Sequence, residues 1–147
     1  MYQRLLVPVD GAELSARAID RSIELARQLG AAITGFIAEP LAPLPTEGTN
    51  PCLYGQAVNV HEQRGVEHAR AVLGRFEQQA RRAGVSFDGQ YLQAHNVGEA
   101  ITQAAQRHHC DMIVMVTHGR SRWGELMLGS HTKAVLARSP VPLLVLH

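Results

Sequence analysis

Residues 112–133, MIVMVTHGRSRWGELMLGSHTK, carry the clearest structural signal in the chain. The unbroken apolar run Met112–Val116 indicates a strand covered on both faces, as in a parallel sheet. Gly119 follows where the chain leaves the sheet, and Gly129-Ser130 begins a helical pattern. A Gly-Ser pair at a helix start offers free N–H groups, a hydroxyl and the positive end of the helix dipole, which suit phosphate. The segment therefore predicts an anion or nucleotide site, although its spacing fits an ordinary strand-to-helix connection equally well.

The rest of the chain alternates strand and helix patterns. Strands are predicted over 4–9, 31–38, 85–94, 112–116 and 141–146, and helices over 13–29, 58–83, 97–108 and from 129 onward. This β-α order predicts an α/β fold with parallel strands and right-handed crossovers. The alternation over 85–94 is weak, and Pro140 and Pro142 lie at the start of the last strand, so both of these strands are predicted to be edges.

A single domain spanning 1–147 is predicted, because this length suits one hydrophobic core. Residues 39–57 contain four prolines and two glycines and are predicted to form a long loop without secondary structure. Loops of this length are often lids or mobile segments. This one is not a domain boundary, because neither flanking part could fold alone.

The helix predicted over 58–83 presents apolar residues at helical spacing. Its predicted buried stripe consists of Val66, Ala69, Leu73, Phe76 and Ala80. Gly65 and Gly74 lie inside the helix and weaken it. His61 and His68 are seven residues apart. Two histidines that bind one metal from a helix normally stand about four residues apart, so both are predicted to be surface residues.

Composition excludes several classes of function. Apolar residues make up 46% of the chain, charged residues 18%, and the formal net charge is +1, so no basic patch indicates nucleic-acid binding. Cys52 and Cys110 form no CxxC pair and indicate neither a disulfide framework nor zinc; Cys110 is predicted to be a small core residue. No apolar run approaches the roughly 20 residues of a membrane span. The chain begins directly with a strand and without a signal peptide, so we expect a cytoplasmic protein.

Pro8, Val9 and Asp10 complete the first strand and lead out of it. Pro8 cannot donate to a neighbouring strand and therefore fits the last turn of its own strand. Asp10 allows two interpretations. It is a turn or capping residue, which the Asp10-Gly11 pair favours, or a carboxylate that faces a ligand at the tip of the strand.

Three separate motifs resemble the universal stress protein family and together span the chain. Residues 116–130, VTHGRSRWGELMLGS, are similar to the nucleotide loop of its ATP-binding members, G-x-x-G, nine residues, then G-S or G-T. Gly119, nine intervening residues and Gly129-Ser130 match this loop, whereas its first glycine falls on Val116. The opening LLVPVDG (5–11) and the closing SPVPLLV (139–145) also resemble the family.

The resemblance implies a five-stranded, doubly wound, flavodoxin-like sheet of order 3-2-1-4-5 with helices on both faces. It implies binding of ATP, or of AMP or ADP, with Mg²⁺ and with no metal ligand from the protein. The implied nucleotide-binding residues are Pro8, Val9, Asp10, Ile37, Val116, His118, Gly119, Arg120, Gly129, Ser130, His131 and Thr132. Ile37 would lie against the adenine ring, whereas without the family it is simply a core residue. The family also implies a homodimer through the edge strand 141–146 and a regulatory protein partner.

Two other functions stay open. One is a nucleotide-independent dimer that acts through partners, since some family members lack the loop motif and Val116 departs from it. The other is an enzyme, but GxxxxGK[ST] and GxGxxG are absent, and residues 10–15 lack the Ser/Gly-rich loop of related adenylating enzymes. His118 has no nucleophile arranged with it in sequence. We therefore assign no catalytic residues, leave slow ATP hydrolysis open, and expect Val116 to weaken or preserve nucleotide binding rather than abolish it.

Overall fold

The computed structural model describes residues 1–10, 13–116 and 130–146, with backbone only at 13–15, 130 and 131. Its elements are β1 (Arg4–Pro8), α1 (Glu13–Leu29), β2 (Ala32–Pro40), α2 (Pro51–Arg82), β3 (Phe87–Ala94), α3 (Val97–Arg107), β4 (Met112–Val116), α4 (Ser130–Arg138) and β5 (Leu143–Leu146). Apart from α2, the predicted bounds differ from these by no more than two residues. None of the helices in the described ranges is long and apolar enough to cross a membrane.

The five strands form one parallel sheet in the order β3-β2-β1-β4-β5. The predicted α/β fold and strand order are therefore confirmed, and β3 and β5 are the edges. The apolar runs of β1 and β4 lie at the centre of the sheet, where strands are covered on both faces.

The sheet separates two clusters of buried apolar side chains, because successive residues of a strand face opposite sides. On one face, Leu5 and Val7 pack against α1 and α2. On the other, Leu6 and Ile113 pack against α3 and against Val135 of α4. Helices thus cover both faces, as in a doubly wound fold.

The prediction of a structureless loop over 39–57 is wrong at both ends. β2 continues to Pro40 by pairing with β3 as far as Ala94, and α2 begins at Pro51 rather than at Val58. The Asn50 side chain caps the helix, since its Oδ1 accepts from the N–H of Cys52 at 2.9 Å and from that of Leu53 at 3.4 Å. An asparagine cap followed by proline at the first helical position is a helix-start signal. A prediction based only on the number of prolines misses it.

The buried stripe of α2 also differs from the prediction. Val66 is 42% exposed and the prediction for it is wrong. The buried residues are Gly65, Ala69, Val72, Phe76 and Ala80. The stripe therefore lies one position earlier at two places: Gly65 replaces Val66, and Val72 replaces Leu73, which is half-buried against the core. The missing side chain at Gly65 lets polar side chains of β2 and β3 lie against α2. A Cβ there would be 2.8 Å from Glu39 Oε2 and closer still to Tyr91 Oη.

The two cysteines differ in their surroundings. Cys110 is 5% exposed, which confirms the predicted core position, and burial raises the pKa of its thiol; Cys52 is exposed. Because the thiolate is the nucleophile, a raised pKa lowers the fraction of Cys110 that is in the reactive thiolate form at a given pH.

We expect an aromatic disulfide reagent to modify Cys52 in the native protein and Cys110 only after unfolding. Fast modification of native Cys52→Ala protein would contradict this.

Candidate functional site

β1 and β4 stop pairing before either strand ends. Their register comprises Leu5 with Met112 and Leu6 with Ile113. On its other side, β1 pairs with β2 as far as Pro8. The carboxyl ends of β1 and β4 are therefore unpaired with each other, at the point of the sheet where strand order reverses. We call this gap between the two strand ends the crevice. Ligands of doubly wound folds bind at such a switch point.

Pro8 accounts for the end of this pairing. Val9 donates its N–H to Phe36 O of β2 at 2.9 Å. Because backbone groups of successive strand residues point to opposite neighbours, position 8 faces β4, and proline has no N–H to donate there. The prediction that Pro8 lies at the end of its strand is confirmed, and its physical effect is to interrupt the ladder on the side of the crevice.

Asp10 lies one residue beyond the last bond to β2 and is exposed. Its carbonyl oxygen is 2.7 Å from Nε2 of His68 on α2. The same Nε2 is 3.9 Å from Oε1 of Glu39 at the end of β2. The structure therefore brings Glu39 and His68 to the β1 side of the crevice. Sequence reasoning missed both, because neither spacing nor residue type relates α2 to a residue 58 positions earlier.

The predicted site residues on β2, β4 and α4 differ in how far they are buried. Ile37 is fully buried in the core cluster that faces α1 and α2. Thr132 is also buried, in the first turn of α4. Val116 is half-buried at the end of β4. α4 begins at Ser130, as predicted, and the backbone of His131 lies in its first turn. His118, Gly119, Arg120 and Gly129 lie outside the described residues.

A polar cluster lies beneath α2 next to the site. The Tyr91 hydroxyl and Gln93 Nε2 are buried and have no hydrogen-bond partner within the described structure. Burial raises the pKa of Tyr91, and the nearby Glu39 carboxylate acts in the same direction. No group of three or more His, Cys, Asp or Glu side chains in the described ranges could hold a metal ion.

This geometry suits a ligand that carries both an anion and hydroxyl or amine groups. The β1 side of the crevice offers Asp10, whose side chain is acidic. On the β4 side the chain leads to the N-terminus of α4, where backbone N–H groups and the positive end of the helix dipole favour an anion.

Solved structures share this fold. UspA from Lactobacillus plantarum matches with a TM-score of 0.78 at 19% identity, over 99% of this chain and 98% of its own. A universal stress protein in complex with cAMP matches with a TM-score of 0.68 at 24% identity, over 99% and 97%. One from Archaeoglobus fulgidus in complex with dAMP matches with a TM-score of 0.64 at 17% identity, over 99% and 98%. At these identities the structures show the fold alone.

Sequence comparison gives the family. A universal stress protein of Thermus aquaticus is 31% identical over 145 residues, covering 99% of this chain and 98% of its own. The protein YxiE of Bacillus subtilis, also a universal stress protein, is 25% identical over 147 residues, covering 99% of each. The sequence model of the universal stress protein family matches residues 1–147. The chain therefore belongs to the universal stress protein family.

Proposed function

We propose that this protein binds an adenine nucleotide in the crevice between β1 and β4 and acts as a regulatory module of the stress response. The observation that carries the proposal is the early end of the β1–β4 pairing, with Asp10 on one side and the start of α4 following on the other. Relatives of the same fold in complex with cAMP and dAMP support the ligand class. We propose ATP as the ligand, with AMP or ADP as alternatives.

Each part of the site has a role in this proposal. Asp10 accepts from a ribose hydroxyl or an adenine amine. Ile37 is fully buried in the core, so its side chain has no part in this proposal. The first turn of α4, from Ser130, binds phosphate through backbone N–H groups, as helix N-termini do. Gly119 gives the phosphates close access to the backbone, and Arg120 adds positive charge. Mg²⁺ would be held by the phosphates and water, since such sites commonly use few protein ligands.

Val116 decides how strong the binding is. It is the last residue of β4, so its backbone is extended and its carbonyl and N–H do not depend on the side chain. Valine occupies space that glycine in the family motif leaves open. We therefore propose that nucleotide affinity is preserved or reduced, but not abolished.

The second candidate is a nucleotide-independent dimer that acts through a protein partner. Two observations favour it: valine at 116, and the position of β5 at the edge of the sheet, where a second copy could pair. We propose pairing through Leu143–Leu146 for either function. We further propose a cytoplasmic protein that binds the nucleotide without a catalytic role, and that binds no nucleic acid.

Calorimetric titration of ligand-stripped protein with ATP and Mg²⁺ tests the first function. We expect saturable binding, and about tenfold weaker binding in Asp10→Ala and in Ser130→Ala, because each loses a hydrogen bond to a charged or polar ligand group. Gly119→Ala is expected to act in the same direction. Asp20→Ala, which removes an exposed carboxylate from α1, serves as the control and should bind like the wild type.

If the folded protein gave no binding heat at millimolar ATP, the nucleotide-binding proposal would be rejected and the partner-binding dimer favoured. Val116→Gly would then show whether the valine is the cause. Restored binding in that variant would assign the loss to this side chain, and continued absence of heat would assign it elsewhere.

A further inference from the structure

Two imidazoles attach α2 to the ends of neighbouring strands. His68 Nε2 lies 2.7 Å from the carbonyl oxygen of Asp10, after β1. His61 Nε2 lies 3.2 Å from the carbonyl oxygen of Pro40, the last residue of β2. Because a carbonyl oxygen can only accept, Nε2 carries the proton in both histidines. The prediction that both are surface residues holds for His68 and only in part for His61, which is half-buried.

Glu39 fixes the surroundings of His68. Its Oε1 is 3.9 Å from His68 Nε2, and its Oε2 faces Gly65 beside the Tyr91 hydroxyl. The His68 side chain is 44% exposed and that of Glu39 is 25% exposed. The imidazole is therefore bounded by the Asp10 carbonyl and by a carboxylate, while it stays accessible enough to be replaced without opening a core cavity.

Asp10 lies beyond the sheet pairing that the structure describes for β1, so the His68 contact acts where the chain has left the sheet. The last bond to β2 is made by the Val9 N–H, and the pairing with β4 has already ended at Leu6. A hydrogen bond to the Asp10 carbonyl fixes the orientation of the following peptide and limits the directions in which the Asp10 side chain points. A group held in place before binding loses less freedom when the ligand arrives.

We propose that His68 is a positioning residue that holds the Asp10 main chain at the mouth of the crevice. Its effect on the main chain is independent of any ligand, and its effect on affinity rests on the proposed nucleotide function. His68 acts through Asp10 and needs no contact with the ligand itself.

The test measures two properties of the same set of variants. In ligand-free protein, hydrogen exchange of the Val9 amide reports the stability of the strand end, and titration with ATP and Mg²⁺ reports affinity. For His68→Ala we expect exchange about three- to tenfold faster and affinity about three- to tenfold lower, the range of one hydrogen bond. His68→Gln should restore both, because its amide also places an N–H donor at the end of the side chain.

His61→Ala is the matched control, since it removes the same kind of bond from the same helix at Pro40. It should leave both the Val9 exchange and the ATP affinity unchanged. Equal effects of His61→Ala and His68→Ala would overturn the proposal in favour of general docking of α2. Unchanged Val9 exchange in His68→Ala, or no rescue by glutamine, would also overturn it.

Failure of the proposed function is distinguishable from failure of this inference. If the wild type binds no ATP but His68→Ala speeds Val9 exchange and glutamine restores it, nucleotide binding is rejected and the role of His68 in holding Asp10 stands. If the wild type binds ATP and His68→Ala binds it equally well, nucleotide binding stands and His68 is not a positioning residue.

Discussion

Phe76→Ala is expected to lower the free energy of unfolding by about 3–5 kcal/mol, the range for removing a buried aromatic side chain. Phe76 is fully buried on α2, and its ring lies 4.7 Å from that of Phe87, centroid to centroid, at an interplanar angle of 52°. Both rings pack on the backbone of β2 at Gly35, where a Cβ would be 2.6 Å from Phe87 Cζ. Truncation leaves a cavity that the rigid sheet cannot collapse to fill.

Equilibrium denaturation in urea measures the effect, with Val66→Ala as the control on the same helix. Val66 is 42% exposed, so its truncation should change the free energy of unfolding by no more than about 0.5 kcal/mol. Comparable losses in the two variants would contradict the helix orientation described above and would return Val66 to the buried stripe.

Gly65→Ala is expected to destabilise the protein by about 1–3 kcal/mol through overpacking. Alanine is favoured over glycine in helices by about 1 kcal/mol, so helix propensity alone predicts the opposite sign. The difference arises because the new Cβ would meet Tyr91 Oη, Glu39 Oε2 at 2.8 Å and Gln93 Nε2 at 3.3 Å. Two of these groups are buried polar atoms that already have no hydrogen-bond partner in the described structure.

Gly74→Ala provides the comparison on the same helix. A Cβ at Gly74 meets nothing within 4 Å, so this substitution should stabilise the protein by about 0.5–1 kcal/mol. Thermal denaturation of the two variants should therefore give melting temperatures on opposite sides of the wild type. If Gly65→Ala and Gly74→Ala both stabilised the protein, the side chains of Tyr91 and Glu39 would have to move away from position 65 with little loss of free energy.

The parts of the fold that could be predicted are those with local signals. Periodicity and unbroken apolar runs predict the strands and helices that the structure describes, because core faces repeat with the period of their element and central strands are covered on both faces. The family resemblance supplies the order of the strands. The start of α2 was missed because the proline content of 39–57 outweighed one local cap at Asn50. Val66 was misplaced because an apolar side chain one position from the stripe looks the same in sequence as one within it.

Within the candidate site, the positions of the residues that follow strands could be predicted. Asp10 and Val116 lie at the ends of β1 and β4, so parallel topology alone places them at one edge of the sheet. The contribution of α2 was not predictable, because the contact of His68 with Asp10 depends on how a distant helix crosses the sheet. The polar cluster at Tyr91 and Gln93 likewise depends on the close approach of α2 at Gly65.

Pro8 lowers the stability of the sheet beside the proposed nucleotide site. A residue with an N–H at this position could complete a further hydrogen bond to β4, a gain on the order of 1 kcal/mol. The same bond would draw the two central strands together where the crevice begins. Attempts to make this protein more heat-resistant by strengthening its sheet should therefore leave position 8 unchanged, because it borders the proposed nucleotide site and stabilising changes at binding sites commonly reduce function.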